Sequence, residues 1–474
     1  MASEDTILYS IIAFIVLENV VEIFLSLRQV KVYKQSRTVP KELSNVMKLE
    51  TFEKARSYGL DKEQFAIIKA IITDIFIVVL EFYFGLLGLV WHQSQILARR
   101  FQLDHLNEIY ISCIFLVLLN VMNLFKDLPF KIYSIFILEE KHGFNKQTPM
   151  FFIKDQIKGF VVGQLISIPI SCIVIFIVQR GGDFFFVWLW LFTGFVTLAL
   201  MTLYPVFIAP LFDKYNPLEV GPLRTSIEEL AVKLKFPLAQ LYVVEGSKRS
   251  AHSNAYFYGL WGSKRIVLFD TLLLNKGKKV SEENESQQLK ETGYDDDNNR
   301  DDIGLTNSVQ NDDSSKGCEN DEVLAVLAHE LGHWKLGHVT KNIIFMQFHL
   351  LLMFAAFAYL FKYDALYRAV GFQIGERPIL VGLLLIITYV LGPYNALISF
   401  FMTMVSRTFE YQADAFAKSL GYNKELTKAL IKLNIDNLGF PVYDWMYSTW
   451  NHSHPTLLQR LNRLKQIDDT KKSD

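Results

Sequence analysis

Long runs of apolar residues recur along this 474-residue chain and are separated by polar segments. A run of about 20 apolar residues crosses the hydrocarbon core of a bilayer as a helix, so each run is a candidate membrane span. The third run is the shortest, and Lys69, Asp74 and Glu81 interrupt the second. The pattern predicts seven membrane helices, at residues 6–27, 65–91, 109–125, 159–178, 184–207, 342–361 and 379–405.

The composition agrees with a polytopic membrane protein. Hydrophobic residues make up 51% of the chain, and 38 of its residues are Phe, which is more apolar material than a soluble protein of this length needs. The net charge is −1 and no extended basic face stands out, so we expect a lipid bilayer and no nucleic acid as partner. The three cysteines predict neither a disulfide framework nor a cysteine-based zinc site.

The loops between the runs differ in their content of lysine and arginine. Nine of these residues follow the first run and six follow the third, whereas two follow the second and one follows the fourth. Because basic loops stay in the cytosol, the pattern predicts a lumenal N-terminus and a cytosolic C-terminus. We expect four parts: five spans in 1–207, a cytosolic part 208–341, two spans in 342–405, and a C-terminal cytosolic helical part 406–474.

The cytosolic part 208–341 has a pattern of its own. Residues 223–234 have helical periodicity, whereas 241–244, 255–260 and 265–270 resemble short strands, the last two joined by a turn at 261–264. We therefore expect an all-α membrane protein with a small antiparallel sheet. The hairpin either offers an edge strand to an extended peptide or only packs against the helices.

Residues 281–320 change abruptly in composition. They are rich in Asp, Asn, Ser and Gln and have almost no large apolar side chain. Such a segment buries too little surface to order itself, so we predict a disordered acidic loop. An acidic surface that attracts basic tails of other proteins is the alternative.

An HExxH motif follows this loop, just before the sixth predicted span. Residues four apart share one face of a helix, so His329 and His333 can bind one zinc ion while Glu330 reaches the water at that ion. The motif is typical of zinc peptidases, and it predicts one Zn²⁺ per chain. The alternative is a pair of helix-surface histidines that bind no metal.

Two histidines leave a catalytic zinc site one protein ligand short. His338 lies nine residues after His329, about half a turn around a continuous helix, so we expect it to point to the opposite face. The third ligand should then come from another helix, and Glu410, at the end of the seventh predicted span, is the best candidate. Asp414 follows on the same face and is expected to accept the spare N–H of a zinc histidine. Alternatively, both carboxylates are merely solvated at a helix end.

This set of residues predicts metal-assisted hydrolysis of a peptide bond. Zinc polarises the scissile carbonyl, and Glu330 takes a proton from water and passes it to the leaving amine. A separate donor should stabilise the oxyanion, and His454 is a candidate for it. A purely structural histidine is the alternative at that position.

Five segments together resemble one family, the type I CAAX prenyl endopeptidases, which are integral-membrane zinc peptidases. They are HELGHWKLGH (329–338), RTFEYQADAFA (407–417), EEKHGFN (139–145), SNAYFYG (253–259) and SHP (453–455). The resemblance implies a seven-helix barrel around a water-filled chamber and removal of the last three residues from prenylated CAAX proteins. It implies zinc binding by His329, His333 and Glu410, catalysis by Glu330 and His454, a supporting role for Asp414, and a peptide groove lined by Asn254, Ala255 and Tyr256.

The chain ends with Lys471 and Lys472, which look like a dilysine retrieval signal read from the cytosol. Together with the resemblance, this signal implies the endoplasmic reticulum and the inner nuclear membrane. The sequons at Asn284 and Asn451 would then face the cytosol, so we expect no glycan on them.

Two other functions are compatible with the same residues. A membrane zinc peptidase that degrades misfolded or translocon-stalled membrane proteins would use the same site. A multipass transporter or scaffold with structural zinc belongs to another class. A structural zinc site is closed by four protein ligands, however, whereas this one offers three and an adjacent glutamate.

Overall fold

The computed structural model describes residues 3–104, 107–259, 262–274 and 316–469. The expected disordered loop, apart from residues 316–320, and the dilysine pair lie outside these residues. The helices are α1 (Glu4–Gln35), α2 (Leu49–Lys69), α3 (Val78–Tyr83), α4 (Leu86–Arg100), α5 (Glu108–Tyr133), α6 (Pro149–Arg180), α7 (Phe185–Leu203), α8 (Ala209–Phe212), α9 (Pro222–Leu234), α10 (Asn320–Lys335), α11 (His338–Leu360), α12 (Asp364–Arg368), α13 (Ile379–Leu383), α14 (Gly392–Ser419), α15 (Asn423–Asp436), α16 (Trp445–Asn451) and α17 (Leu457–Asp469). Stretches of π-helix continue four of them, at Ala70–Ile77, Ser134–Glu139, Tyr204–Ile208 and Leu384–Val390.

Five helical segments of the described residues are long and apolar enough to cross a membrane. They are Glu4–Gln35, Glu108–Glu139, Pro149–Arg180, Gly182–Phe212 and His338–Leu360. A sixth crossing arises if Ile379–Val390 and Gly392–Ser419, which are bent by 62°, form one broken span. The bend falls just before Pro393, which has no N–H to continue the helix. The prediction of an all-α polytopic membrane protein is confirmed, with five or six such spans where the sequence predicts seven.

The second predicted span, 65–91, is not a continuous helix. It is broken between α3 and α4 at Gly85, whose φ of +60° places it in the left-handed region. A Cβ on Gly85 would lie 3.0 Å from the Cα of Gly371, so the two backbones are in contact here. The helix therefore breaks where the segment after α12 comes close to it. Hydropathy alone does not predict this contact.

The sheet contains strands β1 (Tyr215–Pro217), β2 (Leu238–Val244), β3 (Ala255–Tyr258) and β4 (Lys264–Phe269), in the order β1-β2-β4-β3. The predicted hairpin of β3 and β4 is present and antiparallel. The expectation of an antiparallel sheet is wrong for the central pair, because β2 and β4 run parallel. The connection 245–263 is long enough to return the chain to the same end of the sheet, as a parallel pair requires. This topology leaves β3 at one edge.

Two large hydrophobic cores lie among the described residues. The first joins the membrane helices and includes Trp91, Phe115 and Phe357. The second includes Ile266 of β4 and Leu327 of α10 and also joins α9, α14 and α15. Its apolar side chains hold α10 between the sheet and the helices on its other side. The helix with the HExxH motif is thus fixed by a core outside the membrane spans.

The contact between α4 and the segment after α12 allows a test of the fold. A Cβ on Gly88 would overlap the carbonyl oxygen of Gly371, whereas a Cβ on Gly159 of α6 would meet nothing within 4 Å. We expect Gly88→Ala to lower the free energy of unfolding by about 1–3 kcal/mol, the usual cost of forcing atoms into a packed interior. Gly159→Ala is the matched control and should be neutral or stabilise by about 0.4–1 kcal/mol. Thermal unfolding of the purified variants in detergent measures both; equal midpoints would contradict the packing.

Candidate metal centre

Helix α10 places the two histidines of the HExxH motif. A capping box starts it: the Glu319 side chain accepts from the backbone N–H of Glu322, and the Glu322 carboxylate accepts from the N–H of Glu319 at 3.0 Å. This arrangement satisfies two of the backbone donors that a helix leaves open at its first turn. The buried residues Leu327 and Leu331 fix the rotation of α10 against the second core.

Helix α14 packs closely against α10. A Cβ on Gly332 would lie 3.2 Å from the Cα of Ala413 and 3.1 Å from a ring carbon of Phe416. The glycine in the middle of the HExxH motif therefore permits the short distance between the two helices. Ala413 is fully buried in this contact. The packing brings the side chain of Glu410 beside the two histidines.

His329, His333 and Glu410 form one compact group of potential metal ligands. One atom from each lies within 4.8 Å of the others. The Nε2 atoms of the two histidines are 3.2 Å apart, and Glu410 approaches them with Oε2 at 3.5 Å from His329 and Oε1 at 3.2 Å from His333. His329 and Glu410 are buried.

The donor set fits a divalent transition metal. Two imidazole nitrogens and a carboxylate are ligands that zinc accepts, with one position left for the reaction. The Oε2 atom of Glu410 is buried and accepts no hydrogen bond from any residue that the structure describes. Burial alone would lower the pKa of His329, yet the carboxylates of Asp414 and Glu410 raise it to about 9. The site therefore favours positive charge at the point where the three side chains converge.

Asp414 supports His329 from behind. Its Oδ1 lies 2.9 Å from His329 Nδ1, the arrangement that the sequence predicts for it. Arg460 of α17 donates from Nε to Asp414 Oδ2 at 2.8 Å, and its Nη1 lies 3.6 Å from Glu410 Oε2. The arginine side chain is 11% exposed. It balances the charge of two buried carboxylates, which otherwise carry a large desolvation penalty.

The expected orientation of His338 is wrong. The helix does not continue through it, because α10 ends at Lys335 and Gly337 adopts a φ of +68° before α11 begins. The break turns the His338 ring back towards the site, where it stacks on Phe409 with centroids 4.0 Å apart. His338 is nevertheless not in the ligand group. The candidate for the third ligand therefore remains Glu410 on α14.

His338 instead contacts the remote nitrogen of His333. Their Nδ1 atoms are 2.9 Å apart, and His338 Nε2 lies 2.9 Å from the amide oxygen of Gln412. An amide oxygen only accepts hydrogen bonds, so a neutral His338 carries its proton on Nε2. Its Nδ1 then accepts from the Nδ1–H of His333. This chain of hydrogen bonds leaves the lone pair of His333 Nε2 free to face a metal ion.

Glu330 directly follows the ligand candidate His329 on α10, and His454 approaches the ligand group from the loop between α16 and α17. Burial raises the pKa of Glu330, although His329 and His333 oppose the shift, so this carboxylate holds a proton more readily than an exposed one. His454 Nε2 lies 3.3 Å from Glu410 Oε1, and its side chain is 66% exposed. The Ser453 hydroxyl lies 3.1 Å from His454 Nδ1. A hydroxyl that donates to Nδ1 places the ring proton on Nε2, the atom that faces the site.

The Asn-Ala-Tyr segment lies at the start of the edge strand β3. Asn254 is exposed, Ala255 is buried, and the Tyr256 hydroxyl lies 3.3 Å from that of Tyr215. The strand packs against α10 and pairs with β4 on one side. The EEKHGFN segment supports the chain just before β3, since the N–H of Ala251 donates to the carbonyl of Phe144.

Sequence reasoning missed three polar residues around the ligands: Arg460, Gln412 and Arg407. Arg460 had a usable signal, because it sits beside Leu457, Leu461 and Leu464, which recur at helical spacing and are buried. The other two lie within the RTFEYQADAFA segment. Their partners come from distant segments, and a single sequence contains no information on such contacts.

Comparisons with known proteins cover nearly the whole chain. A family model described as CAAX prenyl protease N-terminal, five membrane helices, matches residues 29–214, and a model of peptidase family M48 matches residues 217–468. The CAAX prenyl protease 1 homolog of Mus musculus is 47% identical over 94% of this chain and 92% of its own length. The homolog of Homo sapiens is 46% identical over 98% and 97%. The crystal structure of S. mikatae Ste24p matches with a TM-score of 0.82 at 35% identity, over 98% of this chain and all of that one.

The hydrogen bond between His338 and His333 generates a prediction about metal retention. His338→Phe keeps a ring to stack on Phe409 but removes the acceptor for His333. We expect metal affinity to fall roughly 10–100-fold, the usual effect of losing the partner of a ligating histidine. Titration with a competing chelator, read by metal analysis of the purified protein, measures the change. His349→Phe, on the same helix α11, is the control and should retain metal as the unmodified protein does; equal affinities in both variants would contradict the role of His338.

Proposed function

The chain belongs to peptidase family M48, as a multi-pass membrane metallopeptidase of the CAAX prenyl protease group, and from this premise we propose that it removes the C-terminal tripeptide from prenylated CAAX proteins. The observation that carries the proposal is the compact group of His329, His333 and Glu410, of which His329 and Glu410 are buried, with Glu330 directly after His329 in the HExxH motif. Three ligands and an adjacent carboxylate suit a catalytic centre better than a structural one, which four protein ligands would close.

We assign zinc as the metal and His329, His333 and Glu410 as its ligands. When bound, zinc acts as a Lewis acid on the scissile carbonyl and makes a water molecule easier to deprotonate. Asp414 holds the Nδ1 of His329, and His338 holds the Nδ1 of His333, so each ring keeps its Nε2 towards the site. The orientation of both ligands is thus set by neighbours that lie behind them.

Glu330 serves as the proton carrier. Its carboxylate accepts a proton from the attacking water and delivers it to the leaving amine. Burial raises the pKa of Glu330, which favours the protonated carboxyl group between these two transfers. His454 acts on the open side of the site. A proton on its Nε2 can be donated to the oxyanion that develops on the scissile carbonyl, in a place where a fixed donor lowers the barrier.

The edge strand β3 is the proposed docking place for the substrate. The backbone of a strand with one neighbour has free N–H and C=O groups that an extended peptide can pair with. Ala255 and Tyr256 begin this strand, Asn254 directly precedes it, and α10 packs against it. Pairing along β3 would align the substrate chain beside the HExxH helix. Asn254 is exposed and is available for a side-chain hydrogen bond to it.

The membrane spans of the chain support a preference for lipid-modified substrates. A prenyl chain gains about 0.8 kcal/mol for each buried CH₂, so it brings a C-terminus to the bilayer. We propose a lumenal N-terminus and cytosolic C-terminus, with the broken segment 65–91 crossing the membrane in addition to the six spans, a division into 1–207, 208–341, 342–405 and 406–474, and residence in the endoplasmic reticulum and inner nuclear membrane. The basic loops support the orientation. In this arrangement the metal centre opens to the cytosol, where prenylated C-termini reside.

The proposed activity is tested with a farnesylated CAAX peptide and its unprenylated counterpart. We expect cleavage after the prenylated cysteine, loss of activity with a chelator, and a drop in kcat of at least about 100-fold in Glu330→Gln, because a general base contributes that much or more. Asp321→Asn, an exposed carboxylate on the same helix, is the control and should cleave normally.

Two outcomes decide between the hypotheses. Cleavage that survives both chelation and Glu330→Gln would rule out the metallopeptidase site described above. Equal kcat/KM for prenylated and unprenylated peptides would favour the broader quality-control peptidase. Mass spectrometry of the products gives the position of the cut in each case.

The orientation predicts where glycans form when the protein is expressed in eukaryotic cells. The native sequon at Asn451 should carry none, because it faces the cytosol. Ile374→Asn combined with Glu376→Thr creates a sequon in the lumenal loop between α12 and α13, where residue 374 is 78% exposed. We expect an endoglycosidase-sensitive mass shift in this variant and none in the unmodified protein. A shift in the unmodified protein that Asn451→Gln abolishes would reverse the proposed orientation.

A further inference from the structure

Arg407 makes an unusual set of hydrogen bonds one turn before Glu410 on α14. Its Nη1 donates towards three backbone carbonyls, at 3.2 Å to Ser448, 3.3 Å to His452 and 3.5 Å to His454. Its Nη2 donates to the side-chain oxygen of Gln459 at 2.8 Å. One guanidinium therefore connects α14 with the end of α16, the following loop and the start of α17.

The loop from His452 to Thr456 follows the C-terminus of α16, where such a contact is favourable. The last carbonyls of a helix have no partner within the helix, and a cation at its C-terminus is favourable. Gln459 bonds the loop from its other end, because its side-chain oxygen also accepts from the N–H of Thr456 at 3.0 Å. The planar fork of arginine can serve several acceptors at fixed angles, which a lysine ammonium does not reproduce.

Packing contributes little to the position of the His454 side chain. Two thirds of it is exposed, so packing does not determine where its ring lies. The neighbouring His452, by contrast, is packed against Tyr443 and Tyr447, with ring centroids 4.5 and 5.5 Å away. Burial and the nearby Arg407 lower the pKa of His452 to about 4, so its ring stays neutral beside the guanidinium.

We propose that Arg407 is a positioning residue that fixes the His454 loop, and with it the oxyanion donor, relative to Glu410. Arg407 and Glu410 are three positions apart on α14. Any shift of the loop relative to Glu410 therefore requires the Arg407 bonds to break. This inference rests on the role proposed above for His454. Arg407 touches no ligand atom of the metal group in the described structure, and its effect passes through the loop backbone.

A double-mutant cycle on the full-length protein in detergent tests the proposal. The variants are Arg407→Gln, His454→Ala and the two combined, with Arg463→Gln as the matched control. Arg463 lies on α17 and contacts the ring of Tyr411, also on α14, but is exposed and outside the loop contacts. We expect Arg407→Gln to lower kcat for the farnesylated peptide roughly 10–100-fold, as a misplaced catalytic group does. KM should change by less than about threefold, because substrate pairs with β3 in the ground state.

The decisive comparison uses the His454→Ala background. If Arg407 acts through His454, the combined variant should be no slower than His454→Ala within about threefold, since residues that act as a unit are not additive. Arg407→Lys should recover only part of the rate. Arg407→Gln should retain as much bound metal as the control Arg463→Gln and should unfold at the same thermal midpoint.

Three results would overturn the proposal. They are a combined loss equal to the product of the two single losses, an Arg407→Gln rate equal to that of the unmodified protein, and a loss of bound metal in Arg407→Gln that accounts for its lower rate. Absence of cleavage by the unmodified protein would instead contradict the proposed function. The two failures are therefore distinguishable.

Discussion

The close packing of α10 against α14 is the contact on which the metal centre depends. Neither helix carries a complete ligand set, since α10 supplies two imidazoles and α14 supplies one carboxylate. Gly332 lets the backbones approach until its missing side chain would touch Ala413 and Phe416. Apolar side chains of the second core and the adjacent sheet hold α10 from the other side. The candidate metal centre thus depends on the packing of α10, which lies outside the apolar spans, against α14, which belongs to the possible broken span.

Buried charge is the cost of this arrangement, and its compensation extends through several elements. Glu410 and Asp414 are both buried on α14, about one helical turn apart. Arg460 from α17 contacts both, and the imidazole of His329 lies between them. A buried carboxylate without a partner is strongly destabilising, whereas a paired and hydrogen-bonded one is tolerated. The C-terminal helix is therefore part of the site, although it contributes no ligand.

The segment before β3 and the His454 loop are held by different hydrogen bonds. The segment before β3 is held by backbone pairing with the EEKHGFN segment and by Asn437, whose side-chain oxygen accepts from the N–H of Ser253 at 3.0 Å. The His454 loop is held by the guanidinium of Arg407. One segment would align the peptide and the other would meet the developing oxyanion. The His454 loop is anchored to α14, which carries Glu410, and Asn437 at the end of α15 ties the segment before β3 to a helix that packs against α10.

Local pattern in the sequence was sufficient for the elements with strong periodicity. The apolar runs predict most of the spans, and the helix 223–234 and the hairpin appear close to their predicted positions. The HExxH spacing names His329 and His333, and the need for a third ligand leads to Glu410. These results follow from the 3.6-residue repeat of a helix, the alternation of a strand and the coordination of zinc, all of which are short-range properties.

Tertiary structure alone decided the features that depend on contacts between distant segments. The break at Gly85 arises where Gly371 meets it, the parallel pairing of β2 with β4 arises from a connection that returns across the sheet, and the turn at Gly337 brings His338 to His333. Arg407 and Arg460 gain their roles from partners 45 and 46 residues away in the chain. A single sequence determines which residues are able to make such bonds. Only the packing of the chain determines which of them do, because each bond requires two segments to meet at contact distance.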